Sequence, residues 1–263
     1  MRASLLLIVV VLAGCLAGCG GGRAGAAHDP ARVAADSLAW HGAAEAIAVK
    51  MTVRVKQPER DALRFDVNAW AAADGRVRLN LAKYGFDGMD ALIAADGEFD
   101  LLLPRSNESF HGWMYEFLPE GARIDQANLM LMTDDLKRGP LAAVATYEGS
   151  GRTLRYRDPA TGFLAVVELD PRSPAVASKT LSNDQGRELC RFTYSDYVEV
   201  EGLMRPMRMK LLFLITGVEA NVRIEGDGGF DVVPTVSGER MSLKIPDGTR
   251  KLSFDEFVHR LGG

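Results

Sequence analysis

Apolar and polar residues alternate along most of the chain, which is the pattern of β-strands with one face buried and one face in water. In the first such run, residues 47–55, every second position is Ile, Val or Met. Roughly ten or more antiparallel strands cannot remain one flat open sheet, so we expect strong curvature. The predicted strands are 47–55, 63–69, 77–81, 91–95, 99–103, 112–117, 143–147, 153–157, 163–169, 175–181, 188–197, 207–213 and 218–224.

Asp-Gly pairs separate several of these runs. An Asp-Gly pair between alternating runs is a strong hairpin signal, because such turns require positive φ. The pairs therefore predict an antiparallel meander. They occur at Asp74-Gly75, Asp87-Gly88, Asp96-Gly97, Asp227-Gly228 and Asp247-Gly248.

Three segments interrupt the alternation and have helical features. A proline at its start predicts one helix over residues 30–44. Apolar residues spaced before a Gly-Pro pair predict one or two short helices over 124–138. Ser253 and Glu256 have the spacing of a capping box, which predicts a short closing helix. The predicted fold class is α+β and mainly antiparallel β: a strongly curved sheet, or half-barrel, with helices covering its concave face.

The first residues have the three parts of a secretory signal. Arg2 supplies a positive charge, residues 5–11 form a short apolar run, and small residues follow. The apolar run is too short to span a bilayer. The tetrapeptide Leu-Ala-Gly-Cys then occurs twice, ending at Cys15 and again at Cys19.

These tetrapeptides resemble the bacterial lipobox, whose cysteine receives a diacylglyceryl group and becomes the first residue of the mature chain. The resemblance implies lipid attachment at Cys19, with Cys15 as the alternative, because cleavage before Cys15 would leave an unusually short signal. The predicted organisation is a signal peptide at 1–18, a lipidated cysteine and flexible tether at 19–29, and one domain at 30–263. Two or more acyl chains anchor a protein stably, so we expect a membrane-surface protein.

Gly20, rather than an aspartate, follows the chosen cysteine. By resemblance to the enterobacterial sorting rule, this implies a lipoprotein of the bacterial envelope that lies in the outer membrane and faces the periplasm.

Composition limits the partners and the chemistry. A net charge of −4 is mild and gives no excess of basic residues for nucleic acid. Cys190 is the one cysteine beyond the signal region, and a small buried side chain is its expected role. The sequence contains no His-Glu-x-x-His, Cys-x-x-Cys or Gly-x-Ser-x-Gly motif. We therefore expect no metal, no cofactor and no enzymatic activity.

The order of predicted elements resembles the LolA/LolB superfamily of periplasmic lipid and lipoprotein carriers. In both, a helix is followed by a meander of strands, interrupting helices and further strands. The resemblance extends from Pro30 to the C-terminus. Its local matches are Arg78-Leu79-Asn80-Leu81 leading into Tyr84-Gly85-Phe86-Asp87-Gly88, Asp134-Asp135-Leu136 with Gly139-Pro140, and Tyr194-Ser195-Asp196-Tyr197 before Arg205-Pro206.

The resemblance implies an apolar cavity between sheet and helices that shelters acyl chains of lipids or lipoproteins. Each methylene removed from water would contribute about 0.8 kcal/mol. A filled core is the alternative, and it would suit a non-enzymatic structural, interaction or sensor lipoprotein of the envelope. The predicted cavity lining is Phe65, Val67, Leu79, Leu81, Leu101, Leu103, Phe192, Met207 and Met209.

A loop after the third predicted strand is the expected contact site for a client lipoprotein. The resemblance places Tyr84, Phe86 and Met89 there. Alternatively, the rings of Tyr84 and Phe86 fold back onto the sheet.

Overall fold

The computed structural model describes residues 46–59, 61–72, 76–83, 86–94, 98–113, 145–148, 153–157, 164–170, 175–200, 203–214, 217–226, 228–233 and 238–257. These residues form one open, curved sheet of fifteen strands. The strands are β1 (Ala46–Lys56), β2 (Leu63–Ala72), β3 (Val77–Lys83), β4 (Phe86–Ile93), β5 (Glu98–Leu103), β6 (Glu108–Trp113), β7 (Ala145–Glu148), β8 (Thr153–Arg157), β9 (Leu164–Leu169), β10 (Val176–Ser182), β11 (Glu188–Val200), β12 (Leu203–Phe213), β13 (Val218–Ile224), β14 (Phe230–Val233) and β15 (Arg250–Lys251).

The strands lie side by side in the order β15-β6-β5-β4-β3-β2-β1-β13-β12-β11-β10-β9-β8-β7. Two antiparallel meanders, β1 to β6 and β7 to β13, are therefore joined at the centre by the antiparallel pair of β1 and β13. The predicted meander is confirmed within each half. Pairing of β1 with β13 could not be read from the sequence, because these strands are separated by more than 160 residues.

Strand β14 continues the line of β13 along the same edge of β1. Val49 lies opposite Phe230, while residues 51–56 of β1 pair with β13. At the break between β13 and β14, the Lys50 amide donates to the Gly229 carbonyl at 2.8 Å and the Lys50 carbonyl accepts from the Glu225 amide at 2.9 Å. The backbone of β1 therefore stays hydrogen-bonded across the break.

All thirteen strands predicted from alternation overlap a strand of the structure. The structure starts β4 and β6 earlier than predicted, at Phe86 and Glu108. Strands β14 and β15 were not predicted, because runs of four and two residues are too short for alternation to identify.

The predicted α+β class, with a half-barrel whose helices cover its concave face, is wrong. The described residues are nearly all β, and the helical residues among them are 254–257. A helix of this length rises only about 6 Å and cannot cover a sheet. The helices predicted over 30–44 and 124–138 lie outside the described residues.

The capping box at the start of this helical turn is confirmed. The Ser253 amide donates to Glu256 Oε2 at 2.9 Å, and the Glu256 amide donates to Ser253 Oγ at 3.3 Å. The pKa of the Glu256 carboxyl is lowered from its usual value. The main cause is the hydrogen bond with the Ser253 backbone, and the next is the hydrogen bond with the Ser253 side chain.

Asp87-Gly88 lies inside β4 and does not form the hairpin turn that the sequence pattern predicted. The pairing of β3 with β4 passes from Leu81 opposite Met89 to Ala82 opposite Asp87, which leaves Gly88 as an extra residue. A bulge of this kind suits glycine and increases the local twist. Strand β4 therefore begins before this pair, at Phe86.

The C-terminal segment follows the β6 edge of the sheet. Strand β15 pairs with β6 in parallel, with Arg250 opposite Glu108. Glu108 is buried, and Arg250 Nη1 lies 3.3 Å from its Oε1. The added strand covers a backbone edge that would otherwise be available for pairing with another chain.

The Arg78 side chain holds an earlier part of this segment, residues 239–242, to the outer face of the sheet. Arg78 in β3 donates from Nε to Asp90 Oδ1 at 3.1 Å and from Nη2 to Asp90 Oδ2 at 2.5 Å. Its Nη1 also donates to the carbonyl oxygens of Glu239, Arg240 and Ser242. One side chain therefore ties β3, β4 and the segment before β15 together.

Candidate functional site: the apolar face of the sheet

The inward side chains of the first meander and β1 form continuous apolar rows across the sheet. One row crosses six strands, and each of its members is at most 3% exposed. Because the members lie directly opposite one another, the row is continuous from the β6 edge to the centre. Its members are Phe110, Leu101, Ala91, Leu79, Ala69 and Val49.

A second row continues across the other half of the sheet. It is apolar except at one position, where a lysine lies between Phe192 and Val167. The two meanders therefore present one apolar face, joined through β1. The members of this row are Val55, Ala220, Leu211, Phe192, Lys179 and Val167.

All nine residues predicted to line a cavity lie on this face or against its edge. Leu103 and Met207 are partly buried and pack against the cluster. The nine fall into two groups, one on β2, β3 and β5 and the other on β11 and β12. The fully buried members are Phe65, Val67, Leu79, Leu81, Leu101, Phe192 and Met209.

The three residues predicted for a client-contact loop have different positions. Met89 is 4% exposed and lies opposite Leu81 on the buried face. Phe86 begins β4 opposite Lys83. Tyr84 lies outside the described residues.

The cysteines predicted for lipid attachment, Cys19 and the alternative Cys15, also lie outside the described residues. The segment Asp134-Asp135-Leu136, for which a helix is predicted, lies outside the described residues as well. The remaining local match, from Tyr194 to Pro206, corresponds to the paired strands β11 and β12.

Lys179 is a buried cation that sequence reasoning missed. It is 7% exposed, and burial lowers the pKa of its amino group to about 8. The Cys190 thiol lies diagonally across from it, because Lys179 pairs with Phe192 and Leu181 pairs with Cys190. Burial raises the pKa of Cys190 to about 12. The sequence signal for burial of Lys179 is its place in the alternating run 175–181, where it shares the inward positions of Ala175 and Leu181.

A second buried cation, Arg205, lies on β12. It is 3% exposed, and its guanidinium carbon is 5.6 Å from the ring centroid of Phe230. This geometry is that of a cation–π interaction, which partly offsets the loss of water around the guanidinium. The face is thus apolar with two embedded positive groups.

The described residues contain no group of three or more His, Cys, Asp and Glu side chains that could hold a metal ion. Nor does any helix within the described ranges have the length and hydropathy needed to cross a membrane. The arrangement on the inward face is suited to packing apolar groups.

The sequence matches no protein-family profile and no curated protein. Solved structures do match. A LolA superfamily protein from Nitrosomonas europaea aligns with a TM-score of 0.51 and 12% identity, over 80% of this chain and 94% of that one. A DUF1329 family protein from Desulfovibrio piger aligns with a TM-score of 0.56 and 10% identity, over 81% and 95% of the two chains. The resemblance to the LolA/LolB superfamily is thus confirmed as one of fold: this chain has the fold of a LolA superfamily protein.

Proposed function

We propose that this protein binds acyl chains of lipids or lipoproteins on the apolar face of its sheet. The observation that carries the proposal is the continuity of that face across both meanders, from Phe110 at one side through Val49 and Val55 to Val167 at the other. An acyl chain that removes ten methylenes from water would gain roughly 8 kcal/mol. Apolar contact alone can therefore provide useful affinity without a polar anchor.

The fold supports this proposal, since a LolA superfamily protein shares it. The N-terminal sequence adds a location. Lipid on Cys19, or alternatively on Cys15, would hold the domain at the bacterial outer membrane, facing the periplasm. The role that follows is in localisation of outer-membrane lipoproteins or in lipid transport.

The proposal is for a binding protein and not for an enzyme. The sequence contains no nucleophile motif or metal motif. The buried ionisable groups Lys179 and Cys190 are both shifted by burial towards their neutral forms, which suits packing among apolar neighbours.

A second candidate is an interaction or sensor lipoprotein with a filled core. The near-complete burial of the inward face favours it, since residues such as Leu79, Leu101 and Val167 have 0% exposure. A carrier would have to open this face, or displace what covers it, when an acyl chain enters.

Analysis of bound lipid separates the two candidates. The full chain with Cys15 and Cys19 both replaced by serine carries no covalent acyl group. After expression in a bacterial host, it is purified without detergent, extracted with organic solvent and examined by mass spectrometry. Acyl lipid at near one molecule per chain is the expected result. Lipid-free protein that captures a stable protein partner would support the interaction protein and contradict the carrier.

A further inference from the structure

The outward face of the four central strands places arginines directly opposite arginines. Arg54 lies opposite Arg64 between β1 and β2, and Arg208 lies opposite Arg223 between β12 and β13. All four side chains are exposed. Like charges directly opposite on neighbouring strands destabilise a sheet, so packing of the sheet does not explain these arginine pairs.

The outward positions of β1, β2, β12 and β13 form what we call the basic face. They carry seven cations and only two carboxylates, Asp66 and Glu219, so their net charge is +5. The whole chain has a net charge of −4. Positive charge is therefore concentrated here on an otherwise acidic protein. The seven cations are Lys50, Arg54, Lys56, Arg64, Arg208, Lys210 and Arg223.

Some of these cations are neutralised by a neighbouring acid. Lys210 Nζ lies 2.8 Å from Glu219 Oε2, and the hydrogen bond from Lys210 is the main reason that the pKa of Glu219 is lowered. Arg208 Nε lies 2.8 Å from Asp196 Oδ2. Arg208 and Lys210 are therefore paired with acids, whereas other arginines lie at the centre of the basic face.

Arg54 and Arg223 occupy that centre. They lie diagonally across the β1–β13 pair, since Arg223 is opposite Thr52 and Arg54 is opposite Asn221. Neither makes an ion pair or a side-chain hydrogen bond with any residue that the structure describes. Their guanidinium groups are available to an external anion.

We propose that the basic face docks on an anionic phospholipid surface. A guanidinium can bind a phosphate oxygen pair in a bidentate manner, and several basic residues near a membrane act together. A membrane is favoured over an acidic protein because the proposed lipid anchor already holds the chain beside one, so that weak contacts act at high effective concentration. The inference rests on the proposed anchoring but not on the binding of acyl chains.

Docking in this way would set the orientation of the domain. The basic face and the apolar face are opposite sides of the same strands, because successive side chains of a strand alternate. With the basic face on the membrane, the apolar face points away from the bilayer and towards soluble partners.

Vesicle co-sedimentation tests the proposal. The full chain with both Cys15 and Cys19 replaced by serine is mixed with vesicles of phosphatidylcholine alone, or of phosphatidylcholine with phosphatidylglycerol. The signal segment carries Arg2 and can itself favour anionic vesicles, so its contribution is removed by comparing charge-reversal variants that all retain it. Binding to the anionic vesicles is expected to be at least about tenfold stronger, and high salt should remove the difference.

Charge reversal identifies the surface. Arg54→Glu with Arg223→Glu should abolish the preference for anionic vesicles. The matched control, Arg187→Glu with Lys244→Glu, makes the same change in net charge at exposed positions outside the four strands and should retain it. Circular dichroism is used to check that both variants fold.

Equal binding to the two vesicle types would overturn the proposal, as would an unchanged preference in the Arg54/Arg223 variant. Loss of an acidic protein partner by that variant, with vesicle binding intact, would assign the face to a protein and also overturn it. These outcomes are independent of whether purified chain contains acyl lipid, so a failure here leaves the carrier proposal to its own test.

Discussion

The ring of Phe257 stacks on the ring of Phe110, with their centroids 4.5 Å apart and an angle of 9° between the ring planes. Phe110 is the β6 end of the inward row, and Phe257 belongs to the helical turn at 254–257. Since Phe257 is only 1% exposed, this contact joins the C-terminal segment to the apolar face.

Replacing Phe257 by alanine should therefore lower the free energy of unfolding by about 3–5 kcal/mol, as for other buried phenylalanines. Urea unfolding measures the change. The control is Asp255→Ala in the same turn, at an exposed position, where a change within about 0.5 kcal/mol is expected. Similar losses in the two variants would show that the ring stack contributes little.

Stability should depend on pH through Lys179. Burial lowers its pKa from 10.5 to about 8, so below pH 8 the buried charge destabilises the folded state fully. Between about pH 8 and 10.5 the unfolded chain binds more protons than the folded chain, and this group makes stability rise with pH. From pH 8 to 9 the contribution of Lys179 alone should rise by about 1 kcal/mol, and ionisation of the unfolded thiol, whose usual pKa is 9.0, offsets part of this rise.

Cys190 acts in the opposite direction. Burial raises its pKa from 9.0 to about 12, so ionisation of the unfolded thiol lowers stability across that range. The two effects oppose each other up to about pH 10.5, and the thiol alone acts above that. Lys179→Met should remove the rise between pH 8 and 9, while Cys190→Ala should leave it. Urea titrations at several pH values measure both; a rise that persists in Lys179→Met would refute the assignment.

Substitutions at Phe86 and Met89, both in β4, can distinguish a role in client contact from a role in core packing. We predict that Phe86→Asp weakens transfer of lipid or lipoprotein without unfolding the domain. Met89→Asp should unfold it, because Met89 is 4% exposed and lies opposite Leu81. Thermal unfolding and a transfer assay measure the two effects. An equal loss of thermal stability in Phe86→Asp would make Phe86 a core residue.

The anchor is tested at the two lipobox cysteines. Cys19→Ala should abolish acylation and release the protein into the soluble fraction, whereas Cys15→Ala should leave both unchanged. Metabolic labelling with a palmitate analogue, followed by fractionation, measures the outcome. Labelling that survives in Cys19→Ala and disappears in Cys15→Ala would assign the lipid to Cys15.

Alternation predicted the strands well because most inward positions face a buried surface, which fixes the period at two. The run at 218–224 is an example, since Val218, Ala220, Val222 and Ile224 are all buried. The same reasoning placed the predicted cavity residues on one face. It could not show that β1 pairs with β13, because pairing between distant strands leaves no local pattern.

Predictions from residue type fail where the same residue type occurs in two kinds of local structure. Gly88 follows an aspartate, as in many hairpin turns, yet it is a bulge residue within β4. A lysine in an alternating run is usually an outward residue, so the pattern alone does not single out Lys179 as buried. Its position in the run, two residues before the buried Leu181, indicates an inward side chain, whereas its charge indicates an outward one.

Photocrosslinking tests the central proposal most directly. The full chain with serine at positions 15 and 19 is incubated with a fatty acid that carries a diazirine near the end of its chain, irradiated, and mapped by peptide mass spectrometry. The account predicts adducts on inward side chains such as Phe192 and Met209, and none on their outward neighbours Thr193 and Lys210. Adducts confined to outward positions, or no adduct on the sheet at all, would contradict it.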